Sequence, residues 1–390
     1  MKNKINSLSL KIGLILLLIY FILYFNAIHE ISSFIRLTGY IAFLFLFVNL
    51  SIYFANKKQI ILVNVFITFT LILSVELVCF FLLSMPSGIK KDFSLPYLPE
   101  DHIARNIGDV PYSDSVYHKV LVNGNDTVFD VKNTVDHFNK RYTPGKDTLK
   151  KKHALFFGCS IAFGEGLEDD QTLAYRFQKE SGEYNSYNFA LSGHGTNHML
   201  ARLKFQNLTT QVSEKNGVAF YIFFWDHIFR SIGSMSRYCD WLSNAPYYEI
   251  KENHLVRNKM FKNGRYYTSK FYELIYQTNI VKYFKVDFPL KLNDSHIDLV
   301  CEMIKESKNE YQNQFGKNPF YVVLYPTYIE YTPEQFQLFK NCLTKKKIDY
   351  IDLNDFLKYS GEHTLGGDPH PNSKTNELLG KELLKRYLKR

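Results

Sequence analysis

The segment HALFFGCSIAFGEG, residues 153–166, decides the fold of the larger part of this chain. Residues 153–157 form a short apolar run typical of a buried strand, and a Gly-x-Ser sequence follows it directly. From there to the C terminus, apolar strands alternate with helical segments, which indicates an α/β domain with a mostly parallel sheet. Ligands of such sheets lie at the carboxyl ends of the strands, which is where Ser160 falls.

The predicted elements alternate regularly outside one irregular stretch. Strands are predicted at residues 153–157, 187–191, 218–224, 320–324 and 350–353. Helices are predicted at residues 172–179, 197–209 and 297–314, from Pro333 onward, and at 376–387. Two further strands, at residues 117–122 and 127–131, flank an Asn-Gly turn and predict a β-hairpin. We assign no chemistry to this hairpin.

Ser160 is a candidate nucleophile, because a serine at a strand-to-helix turn presents its hydroxyl at the sheet edge beside free backbone amides. Near the C terminus, residues 368–372 read DPHPN. A serine nucleophile requires a histidine as base and a carboxylate that orients the imidazole. Each motif alone also fits a turn serine or a surface histidine. Their combination predicts a catalytic Ser160, His370 and Asp368; if Asp368 pointed away, the first two would form a dyad.

These motifs make the chain from about residue 153 onward resemble the SGNH (GDSL-like) family of hydrolases and acyltransferases. FGCS at residues 157–160 is similar to the nucleophile block of the family, with Cys159 where aspartate is common. NFALSG at 188–193 resembles the glycine block, and HPN at 370–372 matches the last block. The resemblance implies a flavodoxin-like three-layer α/β domain with a parallel sheet. It also implies an oxyanion hole formed by the amides of Ser160 and Gly193.

Two departures from the family pattern bear on the chemistry. The third block supplies an asparagine in the family, whereas residues 224–227 read FWDH. Asp226 and His227 are therefore candidates for lining the site, with His227 as a donor; a structural ion pair between Asp226 and Arg230 is the alternative. The second departure is the two-residue spacing of Asp368 and His370, where three is usual. Some SGNH-like enzymes that O-acetylate exopolysaccharides have this spacing, which favours acyl transfer.

The chain before Met85 is nearly free of charge and contains three apolar stretches, at residues 8–25, 37–55 and 59–83. Each reaches the length of about 20 residues that spans a bilayer. The lysines before the first stretch and between the second and third lie on one side, which should be the cytoplasm. We predict three transmembrane helices in a bacterial-type plasma (inner) membrane and an extracytoplasmic catalytic domain. Glu76 is then either a functional intramembrane carboxylate or a neutral, hydrogen-bonded packing residue, and the second is favoured.

The predicted organisation is a transmembrane anchor at residues 1–85, a stalk and hairpin at 86–152, and a catalytic domain at 153–390. The domain carries an insertion at about 225–290, whose many aromatic residues predict core or lid packing.

The net charge of +9 in 390 residues fits a solvated surface or attraction to anionic lipids and envelope polymers. The five cysteines contain no C-x-x-C pair; one disulfide among Cys239, Cys301 and Cys342 stays open.

The predicted function is a serine esterase or O-acyltransferase acting on acyl esters, with acetyl favoured, of cell-envelope glycans or lipids. The membrane is a predicted partner, whereas nucleic acid is not, because no nucleic-acid motif or basic stripe occurs. We predict neither a metal nor another cofactor, because His194 and His198 lack further ligands in the sequence. A catalytically silent glycan-binding or assembly protein is the alternative, which the substitution of Trp225 for the family asparagine favours.

Overall fold

The computed structural model describes residues 33–84, 89–92, 106–326 and 331–390. The chain divides into two compact units. One comprises Met1–Pro86 with Leu274–Val286, and the other Ser87–Glu273 with Asp287–Arg390. The predicted first span, residues 8–25, lies outside the described residues, as do Pro86, Pro96 and Pro99, which predict an extended stalk.

The strands, in chain order, are β1 Ile89–Asp92, β2 Ser115–Asn123, β3 Asp126–Val135, β4 Lys152–Phe157, β5 Tyr184–Asn188, β6 Asn216–Phe223, β7 Pro246–Lys251, β8 His254–Met260, β9 Phe320–Leu324 and β10 Asp349–Asp352. The helices are α1 Ser33–Asn56, α2 Ile60–Leu83, α3 Ser160–Phe163, α4 Leu173–Ser181, α5 Thr196–Phe205, α6 Asp226–Ile232, α7 Met235–Arg237, α8 Phe261–Gly264, α9 Tyr266–Tyr276, α10 Asn279–Tyr283, α11 Asp294–Phe315, α12 Pro333–Lys345 and α13 Ser373–Tyr387.

In the smaller unit, α1 and α2 form a helical hairpin joined by a tight turn at Lys57 and Lys58. The ring of Phe54 stacks on that of Phe66 with centroids 5.4 Å apart. Both helices are long and apolar enough to cross a membrane by length and composition. They correspond to the second and third predicted stretches.

Glu76 of α2 binds the N terminus of α10, which belongs to the same unit. Its carboxylate accepts hydrogen bonds from the backbone amides of Asn279 at 2.6 Å and Ile280 at 2.9 Å. The hydroxyl of Tyr40 donates to it at 3.0 Å. The structure therefore shows Glu76 as a hydrogen-bonded residue, and its first backbone partner, Asn279, lies 203 residues later in the chain.

In the larger unit, five parallel strands form a sheet in the order β10-β9-β6-β4-β5. Counted along the chain, this is the order 2-1-3-4-5 of flavodoxin-like folds, and it confirms the predicted parallel α/β domain. Side chains of β4, β6 and β9 alternate between two buried clusters, one on each face. One face is covered by α5, α11 and α12 and the other by α4 and α13, which gives three layers.

Two predicted boundaries were wrong in the region that leads to the site. The second strand is Tyr184–Asn188 instead of residues 187–191. The strand lacks the apolar signature because its buried side chains include polar ones such as Asn185, which donates to Glu214, and Asn188, which donates to the carbonyl of Ala162. The following helix ends at Phe205 instead of residue 209, and a 3₁₀ turn at Leu208–Thr210 follows.

The predicted hairpin is present as β2 and β3, which pair antiparallel from Ser115 with Val135 to Asn123 with Asp126. The strand β1 adds a third member that the sequence did not predict. We call β1, β2 and β3 the accessory sheet. Arg141 links it to the parallel sheet, since its backbone bridges both Val135 and Asn188. The guanidinium of Arg141 is buried and donates to the carbonyl of Leu167 at 2.8 Å.

Candidate active site

The strand β4 ends in a sharp turn that presents Ser160. Gly158 has φ +152°, and a Cβ at this position would lie 3.0 Å from the carbonyl oxygen of Ile222, so the turn requires a glycine. Cys159 is buried, and burial raises the pKa of its thiol. The next residue, Ser160, begins α3. The residue at the family's aspartate position is therefore a neutral packing group.

The structure brings Ser160, His370 and Asp368 together over 210 residues of sequence. The Oγ of Ser160 lies 2.8 Å from Nε2 of His370, and Nδ1 of His370 lies 2.5 Å from Oδ1 of Asp368. With the proton on Nδ1, the ring donates a hydrogen bond to Asp368, and Nε2 is free to receive the serine proton. The side chains of His370 and Asp368 keep 22% and 11% of their surface exposed, so solvent reaches the site.

The loop that carries His370 is held by the side chain of Asn372, the last residue of the HPN motif. The amide nitrogen of Asn372 donates to the carbonyls of Glu362 at 2.8 Å and Thr364 at 3.0 Å. Its side-chain oxygen accepts from the amide of Thr375 and caps α13. These bonds position the imidazole against the end of β4.

The glycine loop follows β5 and contains the second expected oxyanion donor. Gly193 has φ +80°, where a side chain would be strained, and a Cβ there would lie 3.1 Å from Cδ1 of Trp241. The indole N–H of Trp241 donates to the carbonyl of Gly193 at 3.3 Å. Trp241 is 42% exposed and comes from the insertion, so an aromatic surface adjoins the glycine loop.

Glu165 is a buried carboxylate just after α3, 6% exposed, whose Oε1 lies 2.7 Å from Nζ of Lys119 in β2. Burial alone would raise the pKa of Glu165, but the Lys119 ammonium and hydrogen bonds from Lys119 and Ser192 bring it below its ordinary value. The glycines on either side of it were noted in the sequence, yet nothing there pointed to Lys119. The sequence therefore gave no reason to include either residue in the site.

Asp226 and His227 do not line the site as the sequence suggested. Asp226 is buried between Arg230 at 2.6 Å and Arg237 at 2.7 Å. Burial would raise the pKa of Asp226, but the two guanidinium groups lower it. His227 is fully buried, and its Nδ1 lies 2.8 Å from the hydroxyl of Tyr221. Both side chains turn inward because the chain enters α6 directly after Phe224, and the alternative of an Asp226–Arg230 pair is the arrangement found.

Trp225 takes the place of the family asparagine but is only 2% exposed. Its ring packs against Tyr331 with centroids 5.2 Å apart.

His194 and His198 stack with centroids 4.0 Å apart, and burial lowers the pKa of His194 to about 3. Within the described parts of the chain, no three His, Cys, Asp or Glu side chains cluster as metal ligands would.

No protein-family model and no curated protein sequence matches the chain. Solved structures do match, including a lipolytic G-D-S-L family protein from Veillonella parvula at 10% identity and a TM-score of 0.37, over 61% of this chain and 100% of that one. Est24, a carbohydrate acetylesterase from Sinorhizobium meliloti, matches at 12% identity and a TM-score of 0.33, over 61% and 99%. An acetyl xylan esterase, Est2A, from Butyrivibrio proteoclasticus matches at 11% identity and a TM-score of 0.37, over 63% and 65%.

One of these matched structures is described as a member of the G-D-S-L family, which the sequence motifs resemble. Because the sequence identities and TM-scores are low, a conclusion about activity has to rest on the residues of this chain. What those residues form is a serine hydrogen-bonded to a histidine that a carboxylate orients, beside a glycine loop. This arrangement is suited to acyl transfer through a serine ester.

Proposed function

We propose that the chain is a membrane-anchored serine esterase or O-acyltransferase. The observation that carries the proposal is the hydrogen-bonded series of Ser160, His370 and Asp368 at the carboxyl end of β4. A serine in this setting can form an acyl-enzyme, because the imidazole takes its proton and the carboxylate stabilises the imidazolium.

In the first step, His370 accepts the proton of Ser160 as its Oγ attacks an ester carbonyl. The amides of Ser160 and Gly193 donate to the oxyanion of the tetrahedral intermediate. The intermediate collapses, the alcohol leaves with the proton of His370, and the acyl group stays on Ser160. In the second step, water or a sugar hydroxyl attacks the acyl-serine, which gives hydrolysis or transfer.

The proposed substrate is an acyl ester, with acetyl favoured, of a cell-envelope glycan or a lipid. The short Asp-x-His spacing favours transfer to a sugar, and the exposed ring of Trp241 next to Gly193 offers a face on which a sugar ring could stack. An enzyme attached to a membrane acts on substrates of the envelope more readily than on diffusible metabolites.

Membrane anchoring is supported by the surfaces of α1 and α2. Only 11% of the apolar window of each helix is buried in the structure, and residues such as Ile60 and Ile61 are 73% and 80% exposed. A core helix of a soluble protein would bury such side chains. With the lysines of the turn in the cytoplasm, an odd number of crossings places the catalytic domain outside.

A fluorophosphonate probe tests the activity. We expect the full-length protein in detergent to be labelled, Ser160→Ala to abolish labelling, and His370→Ala to reduce its rate by at least about 10³-fold. Ser295→Ala removes an exposed serine hydroxyl on α11 and serves as the control, because it should leave labelling unchanged. If well-folded wild-type protein is not labelled, the esterase proposal fails.

The silent glycan-binding protein remains the second candidate, because Trp225 is buried where the family places an oxyanion donor. It predicts no labelling but measurable binding of acylated glycans by the wild type and by Ser160→Ala alike. Labelling together with acetate release from an acetylated glycan would contradict it.

Protease access in spheroplasts tests the orientation. We expect external proteinase K to degrade the catalytic domain, whereas a cytoplasmic control protein survives until the membrane is permeabilised. A catalytic domain that is degraded only after permeabilisation would contradict the proposed topology.

A further inference from the structure

The glycine loop is held by side chains that come from other parts of the fold. Ser192 donates its hydroxyl to Oε2 of Glu165 at 2.5 Å. The carbonyl of Gly193 accepts from Trp241, and the carbonyl of His194 accepts from Nη1 of Arg230 at 2.9 Å. The three successive residues Ser192, Gly193 and His194 are thus each held by a hydrogen bond to a different residue.

The attachment through Glu165 differs from the others, because Glu165 also belongs to the turn of the nucleophile. Its backbone amide donates to the carbonyl of Ser160 at 3.0 Å, while its carboxylate binds Ser192. One residue therefore connects the backbone of Ser160 to the loop of Gly193. Those are the two segments whose amides have to converge on a single oxyanion.

This connection depends on charge from the accessory sheet. Lys119 of β2 is 1% exposed, and its Nζ donates to Oε1 of Glu165. A buried carboxylate without a cation would take up a proton and lose its strength as an acceptor. With the ammonium in place, Glu165 makes a charge-assisted hydrogen bond to Ser192, which is about twice as strong as a neutral one.

We propose that Glu165, kept ionised by Lys119, is a positioning residue that sets the distance between the two oxyanion donors, so that the accessory sheet is part of the catalytic apparatus. This inference rests on the proposed esterase or acyltransferase activity. It assigns a role in catalysis to a hairpin outside the α/β domain. Displacement of one donor by a fraction of an ångström lowers the rate of the chemical step more than it weakens substrate binding.

The test measures kcat and KM for p-nitrophenyl acetate with full-length protein in detergent. We expect Glu165→Gln, Lys119→Met and Ser192→Ala each to lower kcat by about 10- to 100-fold, with KM changed by less than about threefold. Ser192→Thr, which keeps the hydroxyl, should retain most of the activity. The double variant Glu165→Gln/Ser192→Ala should be no slower than the slower single variant, because both changes break one connection.

Lys140→Met is the matched control. Lys140 is a buried lysine that follows the accessory sheet; its ammonium pairs with Asp136 and lies over the ring of Phe189 instead of binding Glu165 or Ser192. The Lys140→Met variant should have an unchanged kcat even if its Tm is lower. Ser192→Ala removes one hydroxyl at a partly exposed position, and it carries the test if Lys119→Met does not fold.

Two results would overturn the inference. One is full kcat in folded Glu165→Gln and Ser192→Ala. The other is an equal loss of kcat in Lys140→Met, which would mean that removing any buried lysine near the sheet lowers kcat and that the Lys119–Glu165 pair has no specific effect. An inert wild-type protein is a different outcome, because it overturns the proposed function itself.

Discussion

Asp368 accepts two hydrogen bonds from the same residue, His370. Its Oδ1 lies 2.9 Å from the backbone nitrogen of His370 and 2.5 Å from the ring Nδ1. A carboxylate two residues before a histidine can reach both groups in one tight turn. The two-residue spacing thus allows the carboxylate to hold both the loop and the imidazole, and Asp368 does not point away as in the dyad alternative.

We expect Asp368→Asn to lower kcat by about 10²- to 10⁴-fold with little change in KM, because an amide that donates to Nδ1 favours the tautomer that cannot accept the serine proton. Steady-state kinetics and the rate of fluorophosphonate labelling measure the effect. Asp355→Asn removes an exposed aspartate that pairs with Arg386 and should be silent. An unchanged kcat in Asp368→Asn would show that the imidazole is oriented by another group.

At the scale of elements, the short helix α10 depends on a carboxylate from α2. The first two amides of α10 have no partners within a helix, and Glu76 accepts from both. The side-chain amide of Asn279 also donates to Glu76 at 2.9 Å. Within the smaller unit, Glu76 thus satisfies both amides at the start of α10.

We expect Glu76→Leu to expose the segment Leu274–Val286 to protease. Leaving even one of these amides unsatisfied costs about 1–3 kcal/mol, which corresponds to about 5- to 150-fold faster cleavage when opening and closing are fast relative to cleavage. Limited trypsin digestion at Lys282 and Lys285 in detergent, read by mass spectrometry, measures this. Ser74→Ala on the same helix loses only a bond to Thr70 and should match wild type. Equal rates in Glu76→Leu and wild type would contradict the assignment.

At the scale of the whole molecule, the larger unit buries several histidines in neutral form. Burial lowers the pKa of His194 to about 3 and lowers the pKa values of His198 and His227 well below the ordinary value. The unfolded chain therefore binds protons below about pH 6.5 that the folded chain does not bind. Stability is full above this pH and falls as the pH decreases. Asp226 and Glu165 have lowered pKa values, so their contribution to the stability of the folded chain is lost only below about pH 4.

Each of these three histidines should cost about 2 kcal/mol at pH 5, so that Tm of the larger unit falls by about 12–24 °C between pH 7 and pH 5. Calorimetry of the full-length protein in detergent measures the shift. His198→Gln should reduce the shift by about a third, whereas His137→Gln, at an exposed position, should leave it unchanged. A Tm that is equal at the two pH values would contradict the prediction.

The parallel sheet could be predicted from sequence because its strands β4, β6 and β9 are apolar on both faces, which is a local property of a few residues. The same pattern located Ser160 at the carboxyl end of a strand, whereas Gly193 was predicted from the resemblance of residues 188–193 to the glycine block of the family. β5 was misplaced by three residues because its buried side chains are polar, and their partners are not local.

The sequence by itself determined the α/β class, the order of the motifs and the presence of long apolar segments near the N terminus. Only the tertiary structure decided which polar groups are paired: Lys119 with Glu165, Asp226 with two arginines, and Glu76 with the start of α10. The physical reason is that a buried polar or charged group needs a partner, but many partners along a chain would satisfy it equally. The packing of the elements brings one of them within hydrogen-bonding distance.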